Sequence, residues 1–385
     1  MLATMPWDLS PHLPWQALMN PLEKWAAQPS FLLGEYLFIT LAALAFVHAW
    51  GQGDQRRRHV LAWFAALIAG TANDMIFMAL PLVDNFWQAQ ATIMITPRLP
   101  LYIPCVYVCF MYFPTVSVWR AGLPPLPRAA LTGLLGSLFY APYDIVGAKF
   151  SWWTWHDSDA PIANRLLGAP IGSTMWVITF VATFAYILNR VIDRDPAVAR
   201  RSTPVKAIGL VALCSSLVMM IQMTGLQQLD GGVPGVRALL TVIAIYGAIV
   251  WSGWRRRGPG QPRPGDGLLR GMACAYFVAL ALIMACFDPR THVNTSMHQT
   301  YGACHVEATD ITGLTRYKYL CAEDYDEDFT FACVDRLPAE GSEWYTVCGR
   351  AHTDFPRWMA GVSALGALGI LLYMYLLGGL GRRRR

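Results

Sequence analysis

Apolar residues run along this chain in long, nearly uninterrupted blocks. They show neither the period-two alternation of half-buried strands nor the narrow stripe of a soluble amphipathic helix. Nine blocks approach or exceed the roughly 20 residues that cross a hydrocarbon core: 31–50, 60–83, 100–119, 128–149, 170–189, 207–229, 238–254, 271–287 and 358–380. The seventh and eighth are near the short limit but read strongly apolar. The pattern predicts an all-α fold, a polytopic transmembrane helical bundle of nine spans. It divides the chain into an interfacial tail over 1–29, an eight-span bundle over 30–287, a polar loop over 288–357, and a ninth span with an arginine tail over 358–385. The tail has no basic n-region and no small-residue cleavage site, so it does not read as a cleavable signal peptide. Its Trp7, Trp15 and Trp25 suit headgroup depth.

Composition narrows the class further. Only 14% of residues are charged, against about 25% in a soluble domain, and mean hydropathy is +0.35. A water-soluble globule and a disordered chain are both excluded. The formal charge of +5 is the difference between 30 basic and 25 acidic residues, so placement decides its meaning. Nineteen of the 30 basic residues fall in alternate connections: Arg56 to Arg58, Arg120 with Arg128, the linkers 190–206 and 254–270, and Arg382 to Arg385. Cytoplasmic connections are enriched in Lys and Arg, so this side is predicted inside, with the N-terminus outside and the C-terminus inside. The expected location is the plasma membrane or a secretory-pathway membrane, with loop 288–357 extracytoplasmic. Membrane lipids are the expected partners, and the charge gives no reason to expect nucleic acid.

Loop 288–357 has its own character. It holds four of the nine cysteines, Cys304, Cys321, Cys333 and Cys348, and twelve of the 25 acidic residues. An even number of cysteines in an external loop predicts two disulfides, with three pairings open. Asn294-Thr295-Ser296 is a glycosylation sequon on the same side. A divalent metal bound by His292, His298, His305 and His352 with these cysteines is a weaker reading, because neither zinc-type nor calcium-loop spacing is present. A protein partner for this small ectodomain is a further option.

Ionisable groups in a span are costly, so each is a functional hypothesis. Glu35, Asn73, Asp74, Tyr143 and Asp144 all fall in the outer half of their spans. Asp84, Asn85, Arg98, His156, Asp157 and Asp159 follow in external connections. The inner half offers only His48. Trp152, Trp153 and Trp155 stand beside His156 and Asp157 and suit an apolar chain. Asp74, Asp144, His156 and Asp157 are the candidate acid/base or metal-assisting groups. Glu35, Asn73, Asp84, Asn85, Arg98, Tyr143, Asp159 and the three tryptophans are candidate substrate contacts. The plainer alternative is structural pairing of Asp84 with Arg98, Asp144 with Lys149, and Asp159 with Arg165. No P-loop, G-x-S-x-G or H-E-x-x-H motif occurs, which sets those mechanisms aside.

The stretches Asp84-Asn85-Phe86-Trp87-Gln88-Ala89-Gln90, Thr96-Pro97-Arg98-Leu99-Pro100-Leu101-Tyr102 and Trp152 to Pro161 resemble an uncharacterised eukaryotic family of multi-pass membrane proteins. That family carries D-N-F-W-x-A-Q, T-P-R-x-P-L-Y-I-P and W-W-T-W-H-D elements. The resemblance covers roughly the first 190 residues and implies no activity. Trp153-Thr154-Trp155 followed by Gly168-Ala169-Pro170 also resembles, faintly, membrane carotenoid cyclases and hydratases, which implies an isoprenoid substrate class. The element's Asn is missing here. Three functions are therefore expected in order: a membrane enzyme acting on a lipid or isoprenoid, a proton- or cation-coupled transporter or receptor, and a scaffold that binds a partner through its ectodomain.

Overall fold

Helices α1 (Pro21–Ala27), α2 (Pro29–Trp50), α3 (Arg56–Ala79), α4 (Tyr102–Trp119), α5 (Pro125–Lys149), α6 (Ile171–Arg194), α7 (Thr203–Gln227), α8 (Val236–Arg256), α9 (Gly267–Cys286) and α10 (Phe355–Leu377) make up most of the chain. This computed structural model describes residues 16–80, 86–156, 159–194, 203–257, 264–294, 300–310, 313–321 and 329–379. Among the described residues, nine helices are long and apolar enough to cross a membrane. They are α2 to α10, and they match the nine apolar blocks. The second differs most: its helix begins at Arg56, inside the arginine run, and ends at Ala79.

Helix starts follow local chemistry. Proline at the first turn lacks the N–H that a helix leaves unbonded anyway, and it opens α1, α2 and α5. Asp266 caps α9 by accepting from the Leu269 N–H at 3.1 Å, and Asp354 caps α10.

Helix α4 is apolar on every side, which places a helix inside a bundle. It is buried along almost its whole length, with α2, α3 and α5 against it. Helices α7, α8 and α10 lie at the periphery and expose rows such as Leu213, Leu217 and Ile221. In water such rows would be unfavourable; in hydrocarbon they match their solvent.

The connections add something the all-α expectation lacked. Among the described residues there are eleven strands of two or three residues: β1 (Phe86–Gln88), β2 (Met94–Thr96), β3 (Leu99–Pro100), β4 (Trp153–Trp155), β5 (Arg165–Leu166), β6 (Ala169–Pro170), β7 (Val293–Asn294), β8 (Glu307–Thr309), β9 (Thr315–Tyr317), β10 (Phe329–Thr330) and β11 (Val347–Gly349). They form small antiparallel sheets, with β1 against β4 in the register Phe86 to Trp155 and Gln88 to Trp153. Buried connections must bond their backbone groups internally, and short ladders do so.

The loop region after α9 is fixed in two ways. Its disulfides pair Cys304 with Cys321 and Cys333 with Cys348, and Leu320, Phe329, Tyr345 and Val347 form a small core. It docks on the bundle through a chain of polar contacts. Trp152 Nε1 donates to Ser30 Oγ at 3.0 Å, and Ser30 Oγ lies 2.7 Å from His292 Nε2. His292 Nδ1 lies 3.1 Å from the Asp288 carbonyl. These contacts hold a neutral imidazole, and burial pushes the His292 pKa down to about 4.

Candidate functional site

A cavity of about 250 Å³ lies at the end of the bundle that carries the loop region. It exceeds the roughly 150 Å³ engineered hole that accommodates benzene in a protein interior. Its wall is mostly apolar and carries a large aromatic share, Tyr107, Phe110, Tyr140, Tyr143, Trp153, Trp155 and Trp176 from the interior, with Met219, Met220 and Met223 on α7. Thr224, exposed on α7, stands at its edge.

The polar focus is Asp74. Gly70 and Asp74 are one turn apart on the same face of α3. A Cβ added to Gly70 would stand 2.1 Å from Tyr107 Cγ, so only glycine lets that ring lie against the helix. The tyrosine hydroxyl then donates to Asp74 Oδ1. The neighbouring Asn73 also reaches the cavity, and its Oδ1 accepts from Ser216 Oγ at 3.0 Å. Gly147 plays the same part on α5, since a Cβ there would stand 2.2 Å from the Trp153 ring.

At the mouth, Arg316 of β9 reaches in from the loop region. Its Nε donates to Asp159 Oδ1 at 2.5 Å and Oδ2 at 2.6 Å, and its Nη1 donates to Asp310 Oδ2 at 3.0 Å. Burial pushes the Asp159 carboxyl up, and the guanidinium only partly opposes this. The donor Nε1 of Trp155, a residue 8% exposed, has no acceptor among the described residues, nor has Nε1 of Trp176.

Five of the sequence candidates therefore meet at one cavity: Asn73, Asp74, Tyr143, Trp153 and Trp155. The others have different surroundings. Glu35 is fully buried away from it and accepts from the Thr92 N–H at 3.0 Å, the Thr92 hydroxyl at 2.7 Å and the Ile93 N–H at 3.2 Å. It fastens a connection to α2. Trp152 turns its ring toward Phe31 and Ser30. Arg98 donates to the Met78 carbonyl; burial lowers its pKa to about 10, with Glu343 opposing. Asp144 is buried beside Tyr140, whose hydroxyl reaches its Oδ1 at 3.4 Å. His156 is not among the described lining residues, and its ring lies 6.0 Å from that of Trp87. Asp159 pairs with Arg316 rather than with Arg165, whose Nη1 donates to the Gly168 carbonyl. Asp84, Asn85 and Asp157 lie outside the described residues.

Asn294 is fully buried, and its Nδ2, the atom a glycan would occupy, donates to the Ser151 carbonyl at 2.9 Å. Among the described residues, no group of three His, Cys, Asp or Glu side chains is placed to hold a metal ion.

Sequence reasoning missed Tyr107, Tyr140, Trp176 and Arg316. The first three look like ordinary span aromatics, and nothing local marks them. Of a second polar cluster, at the opposite end of the bundle, it picked out only His48. There His48 Nδ1 and His59 Nδ1 lie 2.8 and 3.1 Å from the Tyr112 hydroxyl, and His48 Nε2 lies 2.8 Å from Asp266 Oδ2.

Among the described residues, nine helices apolar and long enough to cross a membrane, five of which (α3 to α7) line a ligand-sized cavity, define a multi-pass membrane protein. The chain belongs to the family described as domain of unknown function DUF7802, whose model matches residues 14–377. No curated protein and no solved structure matches it, carotenoid cyclases and hydratases included.

Proposed function

We propose that this protein takes a lipid or isoprenoid into the cavity from the extracytoplasmic leaflet and handles it there by acid/base chemistry. Asp74 and Tyr107 are the proton-handling pair. The observation that carries this reading is the pairing of a mostly apolar, ligand-sized cavity with one carboxylate–phenol contact inside it. Binding sites for small molecules combine an apolar wall with few polar groups in just this way. A buried carboxylate that accepts from a phenol can take up or return a proton at a bound head. The four groups first suggested by sequence thus contract to Asp74 with a new partner, Tyr107. Asp144 supports the wall through Tyr140.

Purified protein in nanodiscs containing a photoreactive fatty alcohol or polyprenol tests the binding step. Labelling is expected on α3, α4 and α7 around the cavity. It should fall severalfold in Thr224→Trp, which fills the mouth without touching the core. Equal labelling in the variant, or none at these helices, refutes the cavity as a lipid site. The chemical step is tested by Asp74→Asn in cells. Unchanged lipid composition of the host membrane removes the acid/base role.

A further inference from the structure

The charges and unpaired donors around the cavity specify a head group. We propose that the lipid it takes carries a cationic amine with an oxygen close by, an amino-alcohol type of head, and that Asp74 is its counter-ion. The proposal rests on the lipid reading above and adds the head.

Three observations converge on it. The first is the sign of the site. Among the described lining residues, Asp74 and Asp310 are acidic and Arg316 is basic. The guanidinium is already engaged on three of its nitrogens, by both oxygens of Asp159 and by Asp310. Arg316 is thus committed to its own carboxylates, while Asp74 has no basic partner among the described residues. A phosphate or carboxylate head would enter a field of its own sign at low dielectric, whereas an ammonium is attracted.

The second is the wall beside Asp74. Tyr107, Phe110, Tyr140 and Trp176 form one connected aromatic cluster, with ring centroids 5.0 Å apart for Tyr107 and Phe110, 4.9 Å for Phe110 and Tyr140, and 6.1 Å for Tyr140 and Trp176. Tyr107 and Trp176 close the cluster at 6.0 Å. Aromatic rings attract a cation within about 6 Å of the centroid, most strongly where water is excluded. Among the described residues, Asp74 Oδ1 accepts from Tyr107 while no hydrogen bond reaches Oδ2, which leaves that oxygen for an occupant.

The third is the pair of Trp155 and Trp176 Nε1 donors without acceptors. A buried donor left unbonded costs about 1–3 kcal/mol. A hydroxyl or ester oxygen near the amine satisfies one of them. A bare alkylamine does not, and a cationic head without oxygen leaves both donors idle. The chain of the amphiphile then leaves along Met219, Met220 and Met223, where flexible thioethers adapt to an alkyl tail.

The test is competition in nanodiscs holding the full-length protein, with a photoreactive alkylamine as the labelled probe. Sphingosine, an alkylamine, a monoacylglycerol and a fatty acid of matched chain length are the competitors. Sphingosine is expected to displace the probe at a concentration at least tenfold below that of the monoacylglycerol, with the fatty acid weakest. Trp155→Phe removes only the N–H. It should reduce the advantage of sphingosine over the alkylamine and leave the alkylamine unchanged, a readout that does not depend on how Asp74→Asn folds. Where it folds, Asp74→Asn should abolish the preference for amines while monoacylglycerol competes as before. If the monoacylglycerol or the fatty acid competes as well as sphingosine, the cationic head is overturned and the lipid site stands. If no amphiphile protects the cavity helices, both fall.

Discussion

Gly70→Ala adds one methyl group at the point on which the site depends. The new Cβ would lie 2.1 Å from Tyr107 Cγ and 2.3 Å from both Cβ and Cδ1, where carbon atoms in contact prefer about 3.5–4.0 Å. Because Tyr107 Cβ is bonded directly to the α4 backbone, turning the ring about χ1 does not relieve the clash. Either α3 and α4 separate or one of them bends, and the hydroxyl leaves Asp74. Overpacking costs about 1–3 kcal/mol, and loss of the hydrogen bond to a buried carboxyl about 1–3 kcal/mol. The better helix propensity of alanine returns about 1 kcal/mol. The net cost is therefore about 3 kcal/mol. At roughly 2.1 cal/mol/K of unfolding entropy per residue, a chain of 385 residues should lose about 4 °C of thermal stability in detergent. The decisive measurement is the same substitution in a Tyr107→Ala background. With the ring gone, Gly70→Ala should be neutral or slightly stabilising, whereas in Tyr107→Phe it should keep its packing cost. Equal destabilisation in the wild-type and Tyr107→Ala backgrounds would refute the claim that Gly70 exists to seat this ring.

Four further outcomes test the docking of the loop region and its sidedness. Since burial holds His292 at about 4 against an ordinary 6.5, the unfolded chain binds the extra proton between these values and the native state does not. Stability should therefore fall by about 3 kcal/mol as pH drops through that window, and His292→Gln should flatten the profile of melting temperature against pH. Arg316→Met leaves Asp159 and Asp310 buried without their guanidinium and should cost about 3–5 kcal/mol. Arg316→Lys should not restore it, because lysine lacks the planar fork; limited proteolysis of the loop region reads both. Replacing Cys304 and Cys321 together by serine removes a crosslink over 17 residues and should lower the urea midpoint of the loop region by the equivalent of about 3 kcal/mol. Glu340→Asn creates a sequon with Gly341 and Ser342 on an exposed turn; an endoglycosidase-sensitive mass shift in cells is expected if this region is extracytoplasmic, and no shift would reverse the proposed orientation.

What could be read from the sequence was whatever the solvent imposes along the chain. Hydrocarbon demands length, so the block 31–50 became Pro29–Trp50 and 128–149 became Pro125–Lys149. The cost of an ionisable group in a span likewise singled out Asp74. The same rule singled out Glu35, but there three donors from Thr92 and Ile93 offset the cost of burial. Whether a buried carboxyl serves structure or chemistry depends on who donates to it, and the donors lie 57 and 58 residues away. Distance in sequence also hid Arg316, which sits 157 residues beyond Asp159, whereas Arg165 is close to it along the chain. Tyr107 was hidden differently. Its role comes from an absence, the missing side chain of Gly70 on another helix, and glycine is common enough in membrane spans to draw no notice.

The second polar cluster bears on whether the protein conducts. His59, Tyr112 and Asp266 join His48 at the far end, so polarity at both ends no longer separates a transporter from a lipid-handling protein. The packing in the middle of the bundle bears on the choice between these proposals. Along α3 the stretch from His59 to Asp74 rises roughly 22 Å at 1.5 Å per residue, and it contains no titratable residue between them. On α4, Tyr107 and Tyr112 are five residues apart, but Phe110 and Phe113 with Phe139 and Tyr276 fill the core beside them, all of them buried. Phe139 and Tyr276 stack at 4.0 Å, and the Tyr276 hydroxyl is committed to the Phe139 carbonyl at 2.6 Å. A proton crossing this layer would need water or a rearranged aromatic core, and a close-packed interior gives up such contacts reluctantly. In this conformation the two polar ends are insulated from each other. That favours a cavity loaded and emptied from one side, and the far cluster then reads as the fastening of α2, α3 and α4 to the first turn of α9.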